Sequence, residues 1–235
     1  MFAGIAQLAE RRFCKANVGG SIPSAGSMTK KSAFDLRKMK LVELPGERAR
    51  IRWIRHDDPE EMRRLVAIDL DENVRRYVLE TTGDEEELRN FAVGTKKSLG
   101  VAIAGKSELV GEEETDRLQG WIAVYPDHPS RLRRLQEMGL LTYDREKVYL
   151  EIGFARYSMA KQGQMGSALR CVVASLKQCL AGKKVSWCLT GYVHPNNEGS
   201  KRVLEAAGFR HVGEMPYTVK DKHHDCVYLY EPASY

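Results

Sequence analysis

V-H-P-N-N-E-G-S-K-R-V-L-E-A-A-G-F, residues 193–209, is the stretch of the sequence that says most about the fold. Just before it, apolar residues alternate along Val185–Val193, which predicts a strand. After a turn and cap at His194–Asn197, the pattern predicts a helix over Ser200–Ala207 that ends at Gly208, since glycine is favoured directly after a helix. Two further strand-like runs predict an antiparallel pair at the end of the chain, over Phe209–Val219 and Cys226–Tyr230.

Upstream of this stretch, another strand is followed by a glycine-containing turn and a helix. Along Val148–Ala155 every even position is apolar, which predicts a strand with one face in the core. The turn K-Q-G-Q-M-G leads into a helix whose apolar stripe runs from Leu169 to Leu180. A helix N-terminus after a glycine turn suits an anion, because its first N–H groups lack partners. The turn matches neither G-x-x-x-x-G-K-[ST] nor G-x-G-x-x-G, which argues against a P-loop nucleoside triphosphatase and a Rossmann dehydrogenase.

The N-terminal half predicts the rest of the sheet. Charged and apolar side chains alternate along Arg48–Arg55, as expected for a strand with one exposed face. Two acid-led helical patterns follow, then two strand-like runs, and residues 126–146 form a basic insertion with helical spacing. The predicted order β-α-α-β-β-β-α-β-α-β-β indicates one mixed α/β (α+β) domain over residues 47–235.

Composition is that of an ordinary globular protein, with 43% apolar and 29% charged residues. No run approaches the roughly 18 apolar residues of a membrane helix, so no membrane partner is expected. The 37 basic and 32 acidic residues are interleaved, which does not indicate a nucleic-acid partner. The five cysteines are scattered and never form C-x-x-C, which predicts a reducing, cytoplasmic location without a disulfide framework or zinc ribbon. His223–Cys226 is interpreted as an exposed turn, so no metal site is predicted.

Residues 1–46 are predicted to be a disordered leader. Residues 1–27 are basic and lack the apolar core of a secretory signal, while an organelle transit peptide remains open. Gly20–Pro23 can be encoded by GGT-TCG-ATT-CCC, which resembles the T-arm of a transfer-RNA gene read as protein. We therefore prefer Met28 as the true start of translation. Residues 28–46 show no periodic core face and are interpreted as a polar arm.

The opening stretch resembles the last conserved block of the GNAT superfamily, the acyl-CoA-dependent N-acyltransferases. In the branch related to ribosomal-protein N-terminal acetyltransferases, that block reads N-x-x-S-x-R-V-L-E-x-x-G-F. Leu150–Phe154 is similar to the central strand of the same branch, and Asn73–Val78 to the segment after its first helix. The resemblance covers roughly Glu47 to the C-terminus. It implies a GNAT fold, a mixed central sheet flanked by helices, with acetyl-CoA as co-substrate.

The resemblance also implies which residues bind acetyl-CoA. The family's pyrophosphate loop, [QR]-x-x-G-x-[GA], falls on residues 161–166, with Lys161 at its first position and Gln164 at its first glycine. A side chain at Gln164, where close approach is expected, would weaken binding or displace the loop. Asn197 would bond the pantetheine arm, and strand residues would offer backbone groups to it. The implied acetyl-CoA-binding residues are Phe154, Ala155, Arg156, Tyr157, Lys161, Gln162, Gly163, Gln164, Met165, Gly166, Ser167 and Asn197.

Two residues are implied in catalysis. An amine that attacks a thioester needs a base for its proton and an acid for the leaving thiolate. Glu151 matches the strand position used as a base by histone-type members, although an ion-paired or solvated strand glutamate is an equal alternative. Ser200 matches the serine near the thiolate in the related branch, although a serine at a helix start is also a natural N-cap. Many other members have a tyrosine four residues later, where this sequence has Leu204.

The predicted function is transfer of the acetyl group of acetyl-CoA directly to a primary amine, by a monomer or homodimer. The acceptor is a protein N-terminus or a small molecule. A catalytically silent acyl-CoA-binding or regulatory module is the alternative, favoured by Gln164 and Leu204. Another alternative is an RNA- or ribosome-binding protein that uses Arg131, Arg133 and Arg134, although an exposed helix face is the simpler interpretation of these arginines.

Overall fold

The computed structural model describes residues 35–44, 47–77, 83–94, 99–105, 117–157, 163–181, 185–216 and 224–232. Within them, seven strands form one sheet: β1 (Ala49–Trp53), β2 (Leu99–Gly105), β3 (Leu118–Pro126), β4 (Val148–Arg156), β5 (Trp187–Val193), β6 (Arg210–Pro216) and β7 (His224–Tyr230). The helices are α1 (Pro59–Asp69), α2 (Glu72–Arg75), α3 (Glu85–Val93), α4 (Pro129–Glu137), α5 (Gln164–Ala181) and α6 (Glu198–Ala206).

The strands lie in the order β1-β2-β3-β4-β5-β7-β6. In the described part of the chain, β4 and β5 pair in parallel and the other neighbouring strands pair antiparallel. The predicted mixed sheet flanked by helices and the predicted antiparallel pair at the end of the chain are therefore confirmed. None of the described helices is long and apolar enough to cross a membrane.

Acidic caps begin the two main helices of the N-terminal half. The carboxylate of Asp58 accepts from the N–H groups of Glu60 and Glu61, and Pro59 takes the first helical position, where an N–H would have no partner. The carboxylate of Asp84 caps α3 in the same way. Each cap stabilises its helix by about 1 kcal/mol. This capping is the physical reason why acidic residues precede both helices in the sequence.

The two faces of the sheet are covered differently. On one face, α5 and α6 pack in the main core with Leu150 of β4. On the opposite face, α1 and α3 pack over Ala155, whereas α4 packs over Tyr149. Because side chains alternate along a strand, Glu151 and Gly153 share this second face. They lie between its two covered regions.

Residues 35–44 pack against the domain. Leu36 and Met39 are buried in the main core, and Leu36–Lys38 forms a single 3₁₀ turn. The N–H of Val42 donates to Oγ of Ser175 in α5 at 2.8 Å. The prediction of a polar arm without a core face is therefore wrong for these residues, because one turn is too short for a periodic pattern to reveal it. Residues 1–34, with the proposed start at Met28, lie outside the described residues.

Helix formation in the predicted insertion is confirmed, since α4 lies within residues 126–146. The short helix α2 was not predicted. It is one turn long, and the carboxylate of Asp71 caps it by accepting from the N–H of Asn73 at 2.9 Å. Four residues are too few for a periodic apolar face to appear in the sequence.

Strands β3 and β4 approach closely at Gly120. A Cβ on Gly120 would lie 2.6 Å from the carbonyl oxygen of Ala155 and 3.2 Å from Cα of Arg156. Because both are backbone atoms that cannot rotate away, we expect Gly120→Ala to lower the free energy of unfolding by about 1–3 kcal/mol. Denaturant unfolding measures this loss. Gly153→Ala is the control, since its Cβ would meet only ordinary contacts at 3.5 Å or more, and equal losses in the two variants would contradict the close approach.

Candidate active site

Strands β4 and β5 run side by side and then separate. Their pairing joins Val148–Glu151 to Trp187–Thr190. Beyond it, β4 continues along β3 and β5 continues along β7. The space between the diverging strands is called the wedge below, and the pair Glu151–Thr190 is its apex. No strand pairs with the inner edge of β4 beyond Glu151 within the described ranges, so this edge can bind an extended ligand as another strand would.

Gly163 is a turn residue directly before α5. Gly163 has a φ of +83°, a left-handed conformation that glycine adopts without strain. Gln164 is the first residue of the helix, and its side chain is only 4% exposed. Among the described residues, Oε1 of Gln164 has no hydrogen-bond partner. The residue with the special backbone conformation is therefore Gly163, and the side chain of Gln164 is directed into the protein. Lys161 and Gln162 lie outside the described residues.

The segment before β1 is tied to the first turns of α5. Oγ of Ser167 accepts from the N–H of Arg48 at 2.6 Å and donates to the carboxylate of Glu47. Arg170 pairs with the same carboxylate. This anchoring places the guanidinium of Arg48 against the turn, with Nη1 3.7 Å from the position that a Cβ on Gly163 would take. Arg48 thus supplies a cation at the turn, although the sequence showed it only as one basic residue in an alternating strand.

The remaining residues of the predicted acetyl-CoA set differ in what they can offer a ligand. The side chain of Met165 is buried in the main core, and that of Phe154 packs against it. Ala155 and Tyr157 belong to the region under α1 and α3. Their side chains hold the fold together, so these residues have mainly backbone groups to offer. Arg156 is half-buried and Gly166 is buried.

Glu151 lies at the apex of the wedge and is 6% exposed. Its Oε2 accepts from Nη1 of Arg131 at 2.6 Å. Tyr125, directly opposite on β3, also hydrogen-bonds to it. The contacts of Glu151 are therefore those expected for the alternative interpretation, an ion-paired strand glutamate. The interpretation of Arg131 as part of an exposed helix face is wrong, because this side chain is only 9% exposed and turns from α4 toward the sheet.

A second carboxylate completes the surroundings of Glu151. Oδ1 of Asp127 lies 3.6 Å from Nη1 of Arg131. Oδ2 of Asp127 accepts from Oγ1 of Thr190 and from Oη of Tyr192, both at 2.7 Å. The guanidinium of Arg131 also lies over the ring of Tyr192, 4.2 Å from its centroid. This set of side chains spans the apex from β3 to β5 and is called the apex network: Tyr125, Asp127, Arg131, Glu151, Thr190 and Tyr192.

Burial raises the pKa of Glu151 to about 7. The charge of Asp127 raises it as well, whereas Arg131 and the hydrogen bond from Tyr125 lower it. Because the folded state holds this proton more tightly than the unfolded state, the group's contribution to stability is complete below its ordinary pKa near 4.5 and is lost as the pH rises through about 7. Near neutral pH both forms of Glu151 are populated, which suits a general base.

Helix α6 begins at Glu198 with Asn197 as its N-cap. Oδ1 of Asn197 accepts from the N–H of Ser200 at 3.1 Å. Ser200 is half-buried in the first turn of the helix. The cap predicted within His194–Asn197 is therefore confirmed. The predicted helix start at Ser200 and the interpretation of Ser200 as an N-cap are wrong, because asparagine caps as well as serine and lies three residues earlier. Leu204 is 1% exposed in the main core. At the position where many members of the family have a tyrosine, this chain therefore has a core residue.

Asn197 caps α6 and Ser200 does not, so the two residues should contribute differently to stability. We expect Asn197→Ala to lower the free energy of unfolding by about 1 kcal/mol, because it removes the cap. Ser200→Ala leaves the cap in place, so its loss is expected to stay within about 0.5 kcal/mol. Denaturant unfolding of the two variants checks this. A larger loss for Ser200→Ala than for Asn197→Ala would contradict the observed cap.

The segment after α2 contacts the turn between β5 and α6. Oη of Tyr77 donates to the carbonyl of Asn196 at 3.4 Å, and its ring centroid lies 5.5 Å from that of His194. Tyr77 thus contacts the segment 193–209, and Leu204 of that segment shares the main core with Leu150 and Ile152 of β4. The interpretation of His223–Cys226 as an exposed turn is wrong for residues 224–226, which lie in β7 with Asp225 and Cys226 buried. In the described part of the chain, no three His, Cys, Asp or Glu side chains are grouped so as to hold a metal ion.

Comparisons with known proteins agree with this architecture. The family described as "Acetyltransferase (GNAT) domain" matches residues 48–210. A search of curated proteins finds no significant match. The structure is similar to a GNAT-family acetyltransferase from Bacillus anthracis, with a TM-score of 0.53 and 21% identity over 82% of this chain and 97% of that chain.

Two further structures have a similar fold. One is ribosomal-protein-S5-alanine acetyltransferase from Vibrio fischeri, with a TM-score of 0.56 and 13% identity over 81% of this chain and 96% of that chain. The other is a ribosomal L7/L12 alpha-N-protein acetyltransferase in complex with coenzyme A, with a TM-score of 0.56 and 14% identity over 82% of this chain and 98% of that chain. At these identities the likeness concerns the fold alone.

Proposed function

Because the chain belongs to the GNAT acetyltransferase family, we propose that it transfers the acetyl group of acetyl-CoA directly to a primary amine. The acceptor is the α-amine of a protein N-terminus or the amine of a small molecule. The observation that carries the proposal is Glu151, a buried carboxylate at the apex of the wedge whose pKa is raised to about 7. A group with these properties is suited to accept a proton from an amine near neutral pH.

Several features support acetyl-CoA as the co-substrate. The inner edge of β4 beyond Glu151 offers backbone groups to the amides of the pantetheine arm. The first N–H groups of α5, an 18-residue helix, suit the pyrophosphate. Arg48 adds a cation beside Gly163, and the buried side chain of Gln164 leaves the helix N-terminus open despite the missing glycine. Since Oδ1 of Asn197 is used in the cap, its amide NH₂ is the group it offers the pantetheine arm.

Bound acetyl-CoA supplies the acetyl group as a thioester. In its ionised form, Glu151 accepts the proton that the amine loses on attack. Gly153, two residues later on the same face, has no side chain, and Oη of Tyr125 is 3.5 Å from where its Cβ would be. Tyr125 therefore lies over Gly153 in van der Waals contact, and the acceptor is proposed to approach Glu151 beside this hydroxyl. Ser200, at the start of α6, is the proposed donor of a proton to the leaving thiolate.

The alternative of a catalytically silent acyl-CoA-binding module is favoured by one observation, the burial of Leu204 where other members of the family have a tyrosine. The RNA-binding alternative loses one of its three arginines, because Arg131 is buried and paired with Glu151. A weak salt dependence of RNA binding is therefore expected, in contrast to the steep dependence of a basic nucleic-acid site.

Thiol release from acetyl-CoA tests the proposal. The full chain is incubated with acetyl-CoA and a panel of amines: peptides with free N-termini, N-blocked lysine peptides and polyamines. The expected result is amine-dependent thiol release above the hydrolysis blank, together with an acetylated product detected by mass spectrometry. Binding of acetyl-CoA without thiol release for any acceptor in the panel would support the silent module instead.

A further inference from the structure

We infer that Arg131 and Asp127 are positioning residues, which orient the carboxylate of Glu151 at the apex of the wedge and balance its charge. The inference rests on the proposed function, because it assigns a role toward the proposed base. Both residues lie in the insertion 126–146, outside every motif by which the sequence resembles its family.

Arg131 fixes one oxygen of Glu151. The Nη1–Oε2 distance is 2.6 Å, and Arg131 is 9% exposed. The guanidinium cannot swing away freely, because Tyr192 lies against one of its faces at 4.2 Å and Oδ1 of Asp127 lies 3.6 Å from Nη1. A buried carboxylate with one oxygen held in this way has a restricted orientation, and a general base must be held within reach of the proton it takes.

Asp127 is itself held by groups other than Arg131. Its Oδ1 accepts from the N–H of His128 at 2.6 Å, and its Oδ2 accepts from Thr190 and Tyr192 at 2.7 Å each. Thr190 pairs with Glu151 across the apex. Asp127 is therefore held in place by β5, the strand that diverges from β4. Through Asp127 and Arg131, the orientation of Glu151 depends on the place where β4 and β5 separate.

The network places one guanidinium between two buried carboxylates. The titratable groups that act on Glu151 are Tyr125 from β3, Asp127 from the loop before α4, Arg131 from α4 and Tyr192 from β5. A cation beside a carboxylate favours its ionised form, whereas a second carboxylate disfavours it. Removing Arg131 or Asp127 must therefore change the titration of Glu151 in opposite directions. A network that bridges strands without balancing the charge of Glu151 would give no such pair of opposite shifts.

The test is the pH dependence of the rate at saturating acetyl-CoA for Arg131→Met and Asp127→Asn. We expect the acidic limb of the profile to move to higher pH by about one unit or more in Arg131→Met, and to lower pH by a similar amount in Asp127→Asn. Arg131→Lys keeps the charge and should return the limb toward its original position. Arg133→Met is the control, because Arg133 is an exposed residue of the same helix, and its profile should match that of the unchanged protein.

A second readout does not depend on activity. The carboxyl carbon of Glu151 is titrated by NMR in protein labelled with ¹³C-glutamate and is assigned with Glu151→Gln. The same opposite shifts are expected there, even if the thiol-release experiment finds no acceptor. If the pKa of Glu151 is unchanged in folded Asp127→Asn, the inference is overturned. This variant still tests the inference if Arg131→Met fails to fold. Shifts of the same sign in both variants also overturn it.

Discussion

Glu151→Gln is expected to lower the rate of acetyl transfer by about 10²–10⁴-fold, the usual contribution of a positioned acid or base. Glutamine keeps the shape of the side chain but cannot accept the proton of the amine. The affinity for acetyl-CoA should hardly change, because this contact serves the acceptor. The residual rate should recover as the pH rises, since free amine then becomes available from solution.

The measurement for Glu151 is a pH–rate profile at saturating acetyl-CoA, with Glu146→Gln as the control at an exposed glutamate just before β4. An unchanged rate and profile in Glu151→Gln would make Glu151 an ordinary strand residue. Ser200→Ala should show a smaller loss that grows at high pH, where the thiolate is hardest to protonate. A loss that is uniform with pH would contradict the role proposed for Ser200.

Glu61→Ala is expected to lower the free energy of unfolding by about 3–5 kcal/mol, because it removes one partner of a buried ion pair and the three hydrogen bonds that this carboxylate accepts. Glu61 is 4% exposed and receives two bonds from Arg52, at 2.7 and 2.6 Å, and one from the N–H of Arg55 at 2.7 Å. These bonds tie α1 to β1. They thereby hold one of the two covered regions beside Glu151.

Glu60→Ala provides a matched control for Glu61. Glu60 is the preceding residue of α1, and its exposed side chain pairs with Arg63 and Arg64 at the surface. Such exposed pairs contribute little, so its loss should stay within about 0.5 kcal/mol. Denaturant unfolding of the two variants compares them directly. Similar losses would show that the ion pair to Arg52 does not anchor the helix.

The parts of the fold that the sequence predicted are those with local physical causes. The alternation of apolar residues along Val148–Ala155 indicates a strand with one face in the core. It also placed Glu151 on the opposite face. The apolar stripe from Leu169 to Leu180 reports the packing of α5 on the sheet. The glycine at Gly208, which follows α6 with a φ of +87°, marked the end of that helix. Each signal lies within a few residues of the feature it predicts.

The parts that were missed depend on contacts between distant segments. Arg131 is one of three arginines in a basic helix, and only the position of α4 against the sheet decides which of them is buried. Its partner Glu151 lies 20 residues away in sequence. Arg48 reaches the turn at Gly163 through the bond of its N–H to Ser167, 119 residues away. Spacing within one element carries no information about such pairs.

A crystal structure of the full chain with coenzyme A tests most directly whether the wedge is the acyl-CoA site. The expected structure has the pantetheine arm along the inner edge of β4 beyond Glu151 and the pyrophosphate at the first turn of α5, next to Arg48. The thiol should point to the apex, toward the carboxyl group of Glu151. Coenzyme A bound elsewhere on the protein, with β4 and β5 unoccupied between them, would contradict the assignment of both the co-substrate site and the base.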